Sequence, residues 1–419
     1  MKEINLASLD IKVYKDTLEN GLDIYYAPYD DKKNYYISYA TKFGSDILSF
    51  DYDNKKYTPP LGIAHYLEHK MFEMENKEDP FTFFSKSGTS SNAMTSYDST
   101  KYICYGTKNF EENLKYLLTF VNKPYFTDEN VEKEKGIIAE EIKMYDDIPD
   151  YRIEKKLKEN IYHTHPRKYD IAGDVESIKK ITKDDLYKCY NSFYTPNNMF
   201  IIITGNFDID KASHIIKEEL KSIPKKDIPN IYKVDEEVSI VKNKETINEK
   251  IEIPKIGIGL KIPKLKMNDI EQDLYLGMIA TLLFGASSEF RERVRKKELL
   301  NDIYLEWERT DDYRVLYINV TTTKPNSLLE EINEEFSAVN ISEKSFERIK
   351  KVWIANEVKS VDNINSMQSK IYGDVINYND VISNKVELIR KMSINKLNKI
   401  IKDIDFNNRA TLVVLKKEQ

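Results

Sequence analysis

The stretch from Leu61 to Glu73, LGIAHYLEHKMFE, restricts the fold more than any other part of the chain. His65 and His69 are four residues apart, with Glu68 between them. On an α-helix that spacing stacks both imidazoles on one face, one turn apart, and brings Glu68 beside them. Pro59 and Pro60 precede the run, where proline suits a first helical turn. Ile63, Ala64, Leu67, Met71 and Phe72 supply an apolar surface at helical spacing. Two imidazoles so placed form a metal-binding pair, and a neighbouring carboxylate can act on metal-bound water. A catalytic zinc takes three protein ligands and keeps one position open, so a third ligand has to arrive from a distant segment.

The chain offers five histidines in all. His163 and His165 stand before Pro166 and read as a polar loop; His214 falls in an amphipathic helical run and reads as an edge histidine. A carboxylate is therefore the expected third ligand. The richest source is the run from Glu132 to Glu141, EKEKGIIAEE. Glu134 and Glu141 are seven apart and share one helical face, with Ile137 and Ile138 between them to anchor the helix. One of these carboxylates could bind the metal while the other steadies a ligand. Glu140 competes as a ligand but reads as an exposed acid.

Length and charge bound the rest. A chain of 419 residues implies several domains, and 41% hydrophobic with 32% charged residues describes a globular protein. The net charge of -6, without a concentrated basic surface, argues against a nucleic-acid partner. Cys104 and Cys189 form no CxxC pair and read as reduced thiols. No uncharged apolar run reaches the roughly 18 residues of a membrane span. The N-terminal MKEINLASLDIKVYK lacks the apolar core of a secretory signal, so the expected location is the cytoplasm.

Periodicity places strands over 22–27 and 35–43, a polar loop over 46–57, and a strand pair over 92–95 and 101–106. Helices are expected over 129–146, 150–162, 182–190 and 208–220, and a strand over 199–204. Residues 223–245, with Pro224 and Pro229 among many charges, form the expected linker. The pattern then restarts with strands over 256–262, 304–308 and 315–321, six helices and a last strand over 410–415. Ile256-Gly-Ile-Gly259 resembles a dinucleotide loop but lacks the third glycine, so it reads as strand. Both halves run strands, helices, then a closing strand. The expected fold is α+β: two homologous α/β-sandwich repeats, each an antiparallel-rich sheet packed with helices, over 1–222 and 246–419.

The HxxEH order is that of the inverzincins. PLGIAHYLEHKMFE and EKEKGIIAEEIKMYDD, followed by IAGDVESIKKIT and FYTPNNMFIIITGNFD, resemble the pitrilysin/insulinase family of zinc metallopeptidases, in particular its bacterial two-repeat members. The resemblance implies one Zn2+ per chain, held by His65, His69 and Glu141. It makes Glu68 the general base that takes a proton from the zinc-activated water, and Glu134 the supporting acid. It implies that 1–222 is catalytic, that 246–419 encloses substrate, and that Asn92, Ala93, Met94 and Thr95 form an edge strand to which an extended peptide adds. It also implies a homodimer, or a heterodimer with a paralogous inactive subunit. Arg295, in VRKKELLNDIY, matches a substrate-contacting arginine of the family, but Asp302 stands where the family has tyrosine. The expected activity is hydrolysis of short or unfolded peptides, a leader or precursor peptide among them. The alternatives are a non-catalytic, partner-dependent subunit and a processing peptidase for targeting signals.

Overall fold

The computed structural model describes residues 1–6 and 11–417. The strands are β1 (Lys2–Leu6), β2 (Ile11–Thr17), β3 (Asp23–Pro28), β4 (Tyr35–Thr41), β5 (Phe50–Tyr52), β6 (Lys55–Tyr57), β7 (Ser90–Thr95), β8 (Thr100–Gly106), β9 (Met199–Gly205), β10 (Lys244–Glu249), β11 (Lys255–Pro263), β12 (Asp302–Arg309), β13 (Tyr313–Thr321) and β14 (Arg409–Lys416). The helices are α1 (Ile63–Met71), α2 (Pro80–Lys86), α3 (Phe110–Val121), α4 (Asp128–Asp146), α5 (Pro149–Ile161), α6 (Val175–Ile178), α7 (Lys183–Phe193), α8 (Ile209–Leu220), α9 (Asp269–Phe284), α10 (Glu289–Lys296), α11 (Pro325–Ser337), α12 (Glu343–Lys359), α13 (Ile364–Tyr378), α14 (Lys385–Lys391) and α15 (Ile394–Asp403). The class is α+β.

Two sheets organise the chain, in the orders β1-β2-β3-β9-β4-β8-β7 and β10-β14-β11-β13-β12. The five strands β3-β9-β4-β8-β7 repeat the order of the whole second sheet. Both contain a single parallel pair, β3 with β9 and β10 with β14, and all other neighbours are antiparallel. The common strands–helices–closing strand pattern of the two halves thus corresponds to one topology used twice. In each sheet the first strand of a hairpin, β7 of β7–β8 or β12 of β12–β13, is left at an open edge.

The compact units do not follow the continuous ranges 1–222 and 246–419. The first comprises Met1–Met144, Tyr169–Lys233 and Val358–Asn384; the second comprises Tyr145–Lys168, Val234–Glu357 and Lys385–Gln419. Each sheet borrows a helical segment from the other half of the sequence. On the first sheet, Ile201 and Ile203 of β9 face a core built with α1, α3 and α7, while Phe200 and Ile202 face the opposite way onto Met367, Ile371 and Val375 of α13. On the second, Ile258 and Ile318 face α9, while Val315, Leu412 and Val414 pack on Ile153, Leu157 and Ile161 of α5. Burying such a side chain stabilises by about 1.5–3 kcal/mol, so three per helix suffice to hold each borrowed segment firmly. The paired glycines of β11 serve this packing: a Cβ at Gly259 would sit 2.1 Å from Ile161 Cδ1. That close approach, not a phosphate, accounts for the Ile256-Gly-Ile-Gly259 run.

Three expectations differ from the structure. The polar stretch 46–57 contains the β5–β6 hairpin, because Asp53 and Asn54 both adopt positive φ, 49° and 59°, as a tight two-residue turn requires. The stretch 223–245 is irregular up to Lys244, where β10 begins inside it. β1 and β2 pair antiparallel where no strand is expected, apolar alternation there being too weak to announce them.

Candidate metal centre and active site

Helix α1 is aimed by its first residues. Gly62 precedes it with φ +86°, and a Cβ there would meet the Ala172 carbonyl at 2.3 Å, so the chain turns into the helix against the 172–173 backbone. Ile63, Ala64, Leu67 and Met71 sink into the core below. Helix α4 starts where Thr127 Oγ1 accepts the Asn130 N–H at 3.1 Å. Two buried groups of α1 then bind α4 directly: the Tyr66 hydroxyl donates to the Val131 carbonyl, and Lys70 Nζ donates to the Asn130 carbonyl at 3.0 Å. These bonds set the separation and rotation of the two helices.

Between the helices the expected residues meet. The His65 and His69 rings lie 4.6 Å apart. Glu141 puts Oε1 at 3.8 Å from His65 Nε2 and Oε2 at 3.4 Å from His69 Nε2. One donor atom from each of His65, His69 and Glu141 lies within 4.8 Å of the others, the one such grouping found among the described residues. Ligands about 2.0–2.1 Å from a tetrahedral zinc stand roughly 3.4 Å apart, so these three fit that ion with small adjustments. Two imidazoles and one carboxylate are also the donor set of a catalytic zinc that keeps one position open.

Glu134 bonds His69 Nδ1 at 3.1 Å and so leaves Nε2 facing Glu141. Its other oxygen lies 3.5 Å from Lys70 Nζ, whose side chain is fully buried and also pairs with Glu73 at 2.8 Å. Lys70 is a residue that sequence reasoning missed. Glu68 is 9% exposed and accepts a 2.6 Å hydrogen bond at Oε2 from Thr95 Oγ1 of β7.

Charge and burial divide the titrating groups. Burial, helped by His69, pushes His65 down to about 4. Burial acts on His69 too, but the hydrogen bonds of Glu134 and Glu141 outweigh it and raise His69 to about 9. Glu134 is lowered, its burial being outweighed by His69 and Lys70. Glu141 is lowered chiefly by its bond to His69. Burial raises Glu68 above the usual carboxylate range, and the Thr95 hydroxyl only partly opposes this. A carboxylate raised in this way is better matched to proton transfer near neutrality.

The remaining expected residues are less concentrated. Asn92, Ala93, Met94 and Thr95 lie on β7, the open edge of the first sheet, which packs against α1. Glu140 points to solvent and pairs with Lys143 at 2.6 Å. Arg295 is exposed on α10, which belongs to the second unit, whereas His65, His69 and Glu141 belong to the first. Asp302 begins β12, where its carboxylate accepts the Ile303 N–H at 2.8 Å, and Tyr304 is 61% exposed. His163 stands 3.7 Å from Glu237, and His165 stacks on Tyr162 with ring centres 4.9 Å apart. No helix among the described residues is long and apolar enough to cross a membrane.

The profile described as Insulinase (Peptidase family M16) matches residues 52–175, which include His65, Glu68, His69 and Glu141. The profile described as Peptidase M16 inactive domain matches residues 180–352. The uncharacterized zinc protease YmfH of Bacillus subtilis is 38% identical over 342 residues, 80% of this chain and 79% of that protein. The non-peptidase homolog YmxG of Helicobacter pylori is 23% identical over 323 residues, 74% of this chain and 73% of that one. The crystal structure of an M16-like peptidase from Alicyclobacillus acidocaldarius superposes with a TM-score of 0.93 at 30% identity, covering 98% of this chain and 99% of that one. With the HxxEH helix, the distal acidic helix and one sheet topology used twice, the chain belongs to the insulinase family of M16 peptidases.

Proposed function

We propose that this chain is a zinc-dependent endopeptidase acting on short or unfolded peptides, with one zinc per chain held by His65, His69 and Glu141. The observation that carries the reading is the convergence of those three donors within 4.8 Å, with the buried Glu68 carboxylate held beside them. When bound, zinc supplies a Lewis acid for the substrate carbonyl and a water of lowered pKa. Glu68 accepts a proton from the attacking water at Oε1, its Oε2 being engaged by Thr95, and returns it to the leaving amide nitrogen. Glu134 keeps the His69 ring oriented. The open edge of β7 receives the peptide as an added strand, through backbone bonds that carry little side-chain preference. A leader or precursor peptide is one substrate of this kind.

A partner chain, a second copy or a paralogue, completes the proposed enzyme. What supports this is Asp302, which stands where the family pattern has a substrate-contacting tyrosine and instead caps its own strand.

The test is the purified chain with its metal content, assayed on quenched fluorogenic peptides. Wild type is expected to carry about one zinc and to lose turnover on chelation. Glu68→Gln is expected to retain the zinc and lose roughly 10²–10⁴ of kcat. Turnover that survives Glu68→Gln would remove the base assignment. A wild-type chain free of zinc, and inactive with zinc added, would favour the non-catalytic subunit, the reading supported by the similarity to a non-peptidase homolog.

A further inference from the structure

Thr95 occupies a position on β7 that connects the sheet edge to the base. At the end of the β7–β8 hairpin the Ser96 N–H donates to the Ser99 carbonyl at 2.8 Å. Antiparallel ladders alternate bonded and non-bonded pairs. Met94 and Asn92 therefore bond to β8, while Ala93 and Thr95 turn their N–H and C=O toward the open edge. The Ala93 N–H fits this assignment, since it is taken up by Asn92 Oδ1 at 2.9 Å. Side chains alternate with the same period, so Ala93 and Thr95 project to one face. That face is the one covered by α1: Ala93 packs on its core and Thr95 reaches Glu68.

The Thr95 hydroxyl has one hydrogen to donate, and at 2.6 Å from Oε2 it goes to Glu68. Thr100 Oγ1, 3.4 Å from Thr95 Oγ1, has a nearer acceptor of its own in the Phe43 carbonyl at 2.9 Å. Threonine is β-branched and stiff about χ1, so the hydroxyl direction follows from the strand backbone. One residue thus carries an edge-facing carbonyl, which an added peptide strand would bond, a backbone N–H that itself acts on Glu68, and a side chain that fixes the same carboxylate.

We propose that Thr95 is a positioning residue: it fixes the Glu68 carboxylate relative to the peptide strand, so that strand register and base geometry are set by one Cα. This rests on the peptidase reading above and adds to it a role for a side chain rather than for backbone alone.

Thr95→Val keeps the shape and removes the donor; Thr95→Ser keeps the donor. Expected for Thr95→Val is a kcat about 10- to 100-fold lower, the scale of a lost hydrogen bond to a charged group, with KM and zinc content unchanged. Thr95→Ser is expected to restore most of kcat. Independently of activity, crystal structures of the metal-free proteins should show one Glu68 orientation in wild type and Thr95→Ser, and a displaced or multiple one in Thr95→Val. Wild-type kcat in Thr95→Val overturns the inference and leaves the peptidase reading standing. So does a loss accompanied by zinc loss and not rescued by serine, which marks a purely structural role. A wild type without metal-dependent hydrolysis overturns both.

Discussion

The fully buried ammonium of Lys70 lies 3.5 Å from one oxygen of Glu134, whose other oxygen bonds His69 Nδ1. A cation adjacent in sequence to a candidate ligand thus reaches that ligand through a carboxylate on another helix. Lys70→Met, similar in length but uncharged, leaves Glu134 without this partner and loosens the His69 ring. Zinc affinity is expected to fall about 10- to 100-fold, as for other outer-sphere substitutions, measured by competition with a chelating dye. Unchanged affinity would make Lys70 a fold residue only.

Glu140 and Glu141 are neighbours with opposite environments. Glu141 lies within 3.4 Å of His69 Nε2, whereas Glu140 is engaged by Lys143 in solvent. Glu141→Gln is expected to weaken zinc binding by orders of magnitude, and Glu140→Gln to leave it within about twofold, since an exposed pair contributes roughly 0–1 kcal/mol. The reverse ranking would transfer the ligand role.

Zinc binding is expected to release about one proton per chain between pH 7 and 8. A metal ligand must be a neutral imidazole. His65, at about 4, is already neutral there, while His69, held at about 9 by Glu134 and Glu141, must lose its proton. Titration calorimetry in buffers of different ionisation enthalpy counts that proton. The same shift acts on the metal-free protein with the opposite sense. The contribution of His69 to stability is fully present below its unfolded pKa of about 6.5 and is lost as pH rises through about 9. Melting temperatures of the metal-free protein should therefore drop across that window, and less so in Glu134→Gln.

Gly62→Ala puts a Cβ where φ is +86° and the Ala172 carbonyl is 2.3 Å away. Destabilisation of about 1–3 kcal/mol is expected from the strained backbone alone. Because Gly62 aims α1, zinc affinity should fall as well. Chemical denaturation and metal titration on one sample separate the two effects.

The helix carrying His65 and His69 was legible because four-residue spacing, preceding prolines and an apolar stripe agree. Glu134 and Glu141 were legible because seven residues make two turns. Lys70 was not, since a lysine in a helical run points to solvent by default and its burial depends on Glu134, Glu73 and the Asn130 carbonyl arriving from elsewhere. The role of the Thr95 side chain was hidden for the same reason. β10 escaped notice because KETINE is polar; it sits at a sheet edge with alternate residues exposed and needs no apolar run. The residence of α5 and α13 on their sheets is invisible to local patterns, which report an apolar face but not its destination.

The trading of helices has a consequence for synthesis. During translation the first sheet can assemble its β9 core early, yet Phe200 and Ile202 stay uncovered until the segment ending at Asn384 has emerged. A fragment ending near residue 222 would expose that greasy surface permanently and is expected to precipitate or to recruit chaperones. Nature cannot shorten this protein to its metal-bearing half without redesigning the back of the sheet.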